Sequence, residues 1–468
     1  MRDAKIVTLY KTKGERSDCN NYRGISLLSI VGKVFARVTL IRLQKLVDRV
    51  YPESQCGFRS KRSTIDMIFS LRQLQEKCRE QQMPLYISFI DLTKAFDLVS
   101  RDGLFKILPK IGCPPKLLSL VTSFHVDMKG TVQFNSSSSE PFSFNSGVKQ
   151  GCVLAPTLFG IFLPCSSNMH LVNRLKESTY VPGQMTPTGL KKTNVLSQDS
   201  STAPAIAIDD YQLDVVHQFT YLGSTITDNL SLDVELDKRI GKATSTLARL
   251  SKRVLTNPTL KTCTKMAVYN ACIIGTLLYG SESWTTYSKQ ERRLNTFHLR
   301  CLRRILGISW QDKVPNTEVL SRTNLPSMFT MLRQRRLRWL GHVRRMDDGR
   351  FPKDILYGEL RSGKQSIRRP QLRFKDVVKR DMKALDIDVR SWEDLAADRP
   401  RWRSTLLRQI KSGEEKLVHA AENKRAQRKQ RLNPERSETI HRCDFCGKEC
   451  LSRIGLFSHK RCCQRETK

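Results

Sequence analysis

No stretch of this 468-residue sequence is both long and apolar enough to cross a bilayer. The most apolar, AVYNACIIGTLLYG at 267–280, is interrupted and short of the roughly 20 residues a spanning helix needs. The opening MRDAKIVTLYKTKGERSD also has no apolar core of the kind a secretory signal requires. These absences argue for an intracellular chain with no membrane partner. Acid is scarce: 45 Asp and Glu stand against 81 Lys and Arg, a formal charge of +36. An excess of that size, spread along the chain, calls for a polyanion. Nucleic acid comes ahead of a membrane surface, because no continuous apolar face accompanies the charge. Aspartate is missing altogether from Met128 to Gln198, where the only carboxylates are Glu140 and Glu177. Fourteen cysteines would suggest disulfides in a small secreted protein. Here nine are scattered singly through a long basic chain, where reduced thiols are expected, and five lie within 443–463.

The length leaves room for about two to four domains. The chain opens on IVTLYK, a strand pattern, which reads as an entry inside a domain. GKVFARVTLIRLQKLVDRV (32–50) spaces Val34, Val38, Ile41, Leu43, Leu46 and Val50 near the helical period and predicts an amphipathic helix. PLYISFIDL (84–92) has the β-branched and aromatic make-up of a buried strand, and TVQF and PFSF flank the polar NSSSSE as a hairpin (131–144). From about residue 232 the spacing turns helical. There, LRQRRLRWLGHVRRM (332–346) sets Arg333, Arg335, Arg336, Arg338, Arg344 and Arg345 around Leu337, Trp339 and Leu340. Its guanidinium groups are either offered to phosphates or form a plain solvated face. ENKRAQRKQRLNPERSE (422–438) lacks apolar periodicity and reads as a flexible basic linker.

Asp91 closes the predicted strand in FIDLTKAFD (89–97), a place from which a carboxylate can hold a hard divalent cation against phosphate oxygens. Taken alone, such an aspartate is more often a turn former. QCGFRSKRST (55–64) gathers Arg59, Lys61 and Arg62 on a loop suited to a triphosphate. SGVKQGCVLAPTLF (146–159) puts Gln150 and Gly151 at a turn before Pro156.

In this order and spacing, YRGISLLSIVGKVFARV, QCGFRSKRSTIDMIFSLRQL, FIDLTKAFD and GVKQGCVLAPTLF resemble the fingers, palm and template-contacting motifs of the reverse transcriptases of non-LTR retrotransposons. GLKKTNVL (189–196) is similar to the lysine-bearing palm motif and FTYLGSTIT (219–227) to the primer grip. The resemblance implies a right-hand polymerase of α+β class: fingers over 1–80, palm over 81–230, helical thumb over 231–310, then a basic helical extension and linker over 311–438. It implies that Asp91 binds the catalytic Mg²⁺ ions, Phe96 lies under the incoming sugar, and Arg59 meets the triphosphate. Gln150 and Gly151 support the template–nucleotide pair, and Lys192 protonates the leaving pyrophosphate. RNA template and DNA primer or target are the implied partners, and the nucleus the implied location.

The family also carries an Ala-Asp-Asp hairpin between its template-contacting and lysine motifs. Here that interval is GIFLPCSSNMHLVNRLKESTYVPGQMTPTGLKK (160–192), short, broken by Pro164, Pro182 and Pro187, and free of aspartate. AIAIDDYQL (205–213) has two aspartates, but it follows the lysine motif and reads as a turn between strands. The expectation is a polymerase hand that is catalytically impaired, with a non-catalytic nucleic-acid-binding protein as the alternative.

A second site stands on spacing alone. In CDFCGKECLSRIGLFSHKRCC, Cys443 and Cys446 are followed by His459 and Cys463, the pattern of a ββα zinc finger over 439–468. Cys462 can replace Cys463, and Cys450 is a bystander. Leu451, Ile454, Leu456 and Phe457 are expected to form its small core. Arg453, Lys460 and Arg461 give it a basic face directed at nucleic acid.

Overall fold

The computed structural model describes residues 3–12, 14–90, 95–134, 136–163, 193–200, 206–208, 211–360, 371–432, 441–450 and 452–466. The first half mixes helix and sheet. It runs β1 (Ala4–Tyr10), β2 (Tyr22–Leu27), α1 (Ile30–Val50), α2 (Thr64–Glu80), β3 (Leu85–Phe89), α3 (Arg101–Lys110), α4 (Pro115–Ser123), β4 (Lys129–Phe134), β5 (Ser137–Ser138), β6 (Phe142–Ser143) and α5 over residues 155–163. Next come β7 (Asn194–Gln198), β8 (Ala207–Ile208), β9 (Tyr211–Gln212), β10 (Asp214–Val215), β11 (Gln218–Tyr221) and β12 (Ser224–Thr227).

β1 pairs antiparallel with β2 and parallel with β4, which also carries β5 and β6. A second sheet has the order β10-β7-β3, with Leu85 opposite Gln198 and Phe89 opposite Asn194. The strand predicted within 84–92 forms over Leu85–Phe89, with residues 91–92 outside the described set, and β4 pairs back on β5 and β6 where the hairpin around NSSSSE is predicted.

α1 forms where its spacing predicts, started by Ser29, whose hydroxyl accepts from the Gly32 N–H at 3.1 Å. Only part of the expected face turns inward: Leu43 is buried and Leu46 packs half-buried against the same core. Ala36, Leu40, Leu43 and Val47 are buried with α3, α4 and α5, while Val34, Val38 and Ile41 are 61, 47 and 51% exposed. α2 begins on a capping box between Ser63 and Asp66.

The second half is helical: α6 (Asp233–Leu250), α7 (Thr262–Val268), which continues through a π-helical turn toward Leu277, α8 (Ser288–Leu306), α9 (Asn316–Thr323), α10 (Met328–Arg344), α11 (Phe351–Tyr357), α12 (Phe374–Ala384), α13 (Trp392–Ala397) and α14 (Arg399–Leu432). α6 to α9 and the start of α10 share one core around Tyr269, Trp284, Leu294 and Leu302. α10 to α14 share another, which takes in Phe69 from α2; that ring lies 5.1 Å from Phe374 and 5.6 Å from Trp339. Residues 422–432, expected as a flexible linker, continue α14 instead. Its Ala, Glu, Lys, Arg and Gln residues favour helix without any apolar face. Residues 433–438 lie outside the described set. The chain closes with a hairpin, β13 (His441–Arg442) on β14 (Glu449–Cys450), and α15 (Arg453–Glu466). No helix among the described residues is long and apolar enough to cross a membrane.

Candidate functional site

Asp91, Lys192 and the interval 164–190 lie outside the described residues. The strands that lead to the two site residues are described, and they pair: Phe89, two before Asp91, faces Asn194, two after Lys192. On this sheet lies the β11–β12 hairpin of FTYLGSTIT. Phe219 stacks on Phe89 at 4.1 Å and 12°, and Ile226 is buried with Leu196. Two elements hold the hairpin from behind. Arg72 of α2 donates to Ser224 Oγ at 3.1 Å and to Thr225 O at 2.9 Å. Glu235 of α6 accepts from Thr225 N at 2.7 Å while pairing with Arg239 at 2.8 Å.

Phe96 meets the segment 146–159 directly. Its carbonyl accepts from Val148 N at 2.8 Å, the Val99 carbonyl accepts from Gly147 N at 2.9 Å, and its ring packs 5.0 Å from Phe159. Gly147, at φ +81°, is required here, because a Cβ would stand 2.6 Å from Asp97 O. Gln150 and Gly151 dock on β2. Ser26 N donates to Gln150 O at 2.9 Å, and a Cβ on Gly151, at φ +111°, would stand 2.5 Å from Ser26 O. The Gln150 side chain is exposed. Three stretches distant in sequence, around Ser26, Phe96–Val99 and Gly147–Gly151, are thus held together.

Sequence reasoning missed the residue that ties two of them together. Arg101 donates to the carbonyls of His125 (3.0 Å), Phe144 (2.8 Å), Ser146 (3.0 Å) and Gly147 (3.0 Å). Burial pulls its pKa below the ordinary arginine value. Nothing local marks it, since its acceptors are all backbone.

The basic loop departs from expectation. Arg59 turns back onto the end of α1, donating to Pro52 O at 3.1 Å and Asp48 O at 3.4 Å, with its guanidinium 5.8 Å from the Tyr51 ring centre. Arg62 pairs with Glu53, and of the three cations Lys61 is the one exposed. The last-turn carbonyls of α1 lack partners within their own helix, and a guanidinium satisfies them well.

The arginines of α10 are likewise turned inward, which neither reading of that run anticipated. Arg336 is fully buried. It binds Asp381 at 2.7 and 3.2 Å, Glu291 at 3.2 Å and Thr286 at 2.9 Å. Arg335 pairs with Glu282 at 3.0 Å, Arg344 with Glu393 at 3.3 Å, and Arg345 donates to Ala396 O at 2.6 Å; Arg338 is exposed. The helix is surrounded by α8, α12, α13 and α14, leaving little solvent-facing side, so its charges find acids from other helices.

At the far end Cys443, Cys446, His459 and Cys463 bring their ligand atoms within 4.8 Å of one another. The turn between the first two is fixed by Gly447 N donating to Cys443 O at 2.9 Å and Cys443 N to Lys448 O at 3.0 Å. Three thiols and an imidazole at such spacing suit tetrahedral Zn²⁺. Cys450, half-buried, stays outside the cluster. The expected apolar core is not assembled: Ile454 and Phe457 are 84 and 64% exposed, Leu456 is half-buried, and Leu451 lies outside the described residues. A metal held by these four side chains would tie the hairpin to the helix, and a domain this small needs little else. Lys460 leans onto Asp444, leaving Arg453 and Arg461 as the exposed cations.

Residues 11–180 match the family model for reverse transcriptase (RNA-dependent DNA polymerase). The chain is 26% identical over 344 residues to the RNA-directed DNA polymerase from transposon BS of Drosophila melanogaster, covering 64% of this chain and 38% of that protein. It is 23% identical over 359 residues to the RNA-directed DNA polymerase from mobile element jockey of the same species, covering 68% and 39%. It is 27% identical over 206 residues to an uncharacterized transposon-derived protein of Caenorhabditis elegans, covering 42% and 72%. The chain thus carries a reverse-transcriptase domain. Its relatives place that domain with the RNA-directed DNA polymerases of LINE-type non-LTR retrotransposons, of which it spans less than two fifths of the first two. Among solved structures a telomerase of Candida tropicalis aligns over 77% of this chain and 64% of its own, at 12% identity and a TM-score of 0.34, too slight a likeness to bear on the fold.

Proposed function

We propose that this chain is a reverse-transcriptase relative that holds nucleic acid but is impaired in joining nucleotides. The first 80 residues act as fingers, 81–230 as a palm shortened near 160–192, 231–310 as a thumb, 311–438 as a basic extension, and 439–468 as a zinc finger. The observation that carries the impairment is the missing second carboxylate. Two-metal phosphoryl transfer holds its cations about 3.5–4 Å apart and needs acids from both sides. From Met128 to Gln198 the sequence has no aspartate. The strand paired with β3 is β7, whose five residues Asn194–Gln198 carry no acid. Asp199, which follows, lies at the far end of the strand and is held by Arg79 at 3.0 and 3.1 Å. β8 and β9 form their own two-stranded ladder around residues 209–210, apart from the β10-β7-β3 sheet, which favours the turn reading of that segment.

Asp91 alone does not fit a Mg²⁺ pair, and no bond-making step is assigned. What remains is binding: Phe96, Gln150 and Gly151 are the proposed contacts for an RNA template and a DNA primer or target, with the nucleus as the proposed location. Bound zinc supplies the fold of the terminal finger, with Cys443, Cys446, His459 and Cys463 as its ligands. Primer extension on an RNA template with Mg²⁺ or Mn²⁺ tests the impairment. The expected yield does not exceed that of Asp91→Ala, and template-directed product abolished by that substitution overturns it. Metal content by mass spectrometry tests the finger: Cys446→Ser should lose its zinc, and equal metal in both proteins counts against the site.

A further inference from the structure

α8 carries five arginines and one lysine, and its outer face shows Lys289, Arg292, Arg293, Arg300 and Arg304 to solvent. Its one acid, Glu291, is turned inward to Arg336 and Arg380. Arg293 pairs with Asp237 of α6, and Arg292 bonds the Ser288 carbonyl at 3.2 Å. From Lys289 to Arg304 the face extends about 22 Å at the usual helical rise. The helix ends on Gly307, in the left-handed region, and three residues later stands Trp310, 85% exposed. The other tryptophans contrast with it: Trp284, Trp339 and Trp402 are buried, and Trp392 is half-buried. The only carboxylate of that turn, Asp312, faces back to accept from Ser309 N at 2.6 Å. A row of guanidinium groups, of which Arg293 meets the acid Asp237, with an exposed indole three residues past Gly307, matches the two chemical elements of a single-stranded polynucleotide, its evenly charged backbone and its stacking bases.

We propose that the outer face of α8 and Trp310 form a binding surface for single-stranded nucleic acid, with Arg300 and Arg304 on phosphates and the Trp310 indole stacked on a base. This rests on the nucleic-acid-binding reading above and specifies where one strand lies. The surface is independent of Asp91 and of the finger.

The test uses the full zinc-loaded chain and two probes: a labelled oligothymidylate of about 20 nucleotides, and inorganic polyphosphate, which has the charge without the bases. Trp310→Ala should lose about tenfold in oligonucleotide affinity, Trp310→Phe should keep most of it, and polyphosphate binding should not change. Arg300→Gln with Arg304→Gln should weaken both probes and reduce the oligonucleotide slope of log affinity against log salt by about 1.4. Oligonucleotide binding should also quench the exposed tryptophan fluorescence, a signal absent from Trp310→Ala. If the wild type binds oligonucleotide and the Trp310 and arginine variants match it, the surface lies elsewhere, and this inference falls while the nucleic-acid-binding reading stands. If the wild type does not bind oligonucleotide at low salt, both fall. Equal losses for the two probes in Trp310→Ala also overturn the stacking role.

Discussion

Two arginine-rich helices, α8 and α10, pack against each other and use the same residue in opposite ways. On α8 an apolar side with Leu294, Phe297, Leu302 and Ile305 faces the core and most of the arginines face water. On α10, Arg336 is as buried as its neighbour Leu337, both at 0% exposure. The number of surrounding helices decides. α8 keeps one free side, whereas α10 runs between helices and must satisfy its cations with acids brought from α8, α12 and α13. A run of basic residues therefore says little about phosphate binding until its neighbours are known.

The contrast can be broken most forcefully at Arg336. Arg336→Ala leaves Asp381 and Glu291 buried beside one another's remaining partners, and stability should fall by about 3–5 kcal/mol. Urea unfolding followed by circular dichroism measures it, and a loss below about 1 kcal/mol would place Arg336 with ordinary surface charges. Arg336→Lys should recover only part of the loss, because a single ammonium group cannot reproduce contacts to Asp381, Glu291 and Thr286 together; a double-mutant cycle with Asp381→Asn gives the coupling.

The next effect is on pH. Glu76 of α2 accepts from Phe374 N at 2.7 Å and Thr285 Oγ1 at 3.1 Å, joining α2 to α12. Burial, opposed by those hydrogen bonds and by Arg373 and reinforced by Asp376, pushes its carboxyl from 4.5 to about 7. The folded state then holds this proton more tightly than the unfolded chain. Its contribution is fully present below pH 4.5 and is lost as pH rises through 7. Glu76→Gln should flatten that decline, measured as the difference in urea midpoint between the two proteins from pH 5 to about 8; parallel curves would show that the carboxyl stays ionised throughout. The smallest effect belongs to the outward helix: Arg300→Gln with Arg304→Gln should change stability by less than about 0.5 kcal/mol. A larger loss would make that face part of the framework.

The elements were largely legible from the chain. Periodicity marks α1 and the helices after residue 232, composition marks β3, and spacing alone marks the four finger ligands. What was not legible is which way side chains face. α1 exposes Val34 and Val38 because its side with Ala36, Leu40, Leu43 and Val47 meets α3, α4 and α5, a fact of tertiary packing. Arg336 finds Asp381 and Glu291 each 45 residues away, beyond any local pattern. Residues 422–432 form helix because an exposed helix needs only propensity and no apolar stripe marks it in the sequence. The polymerase motifs were visible as motifs, but the Arg101 clamp on four carbonyls has no sequence signature.

Phe69 belongs to α2, yet it completes the core of the distal helices, and Arg350 reaches from just before α11 to Glu53 at 2.7 Å and Asp66 at 3.4 Å. The two halves of this chain are therefore not independent cargo. A nonsense codon ahead of Met328 would uncover the aromatic ring of Phe69 as surely as it deletes the helices that cover it, so damage downstream is felt far upstream.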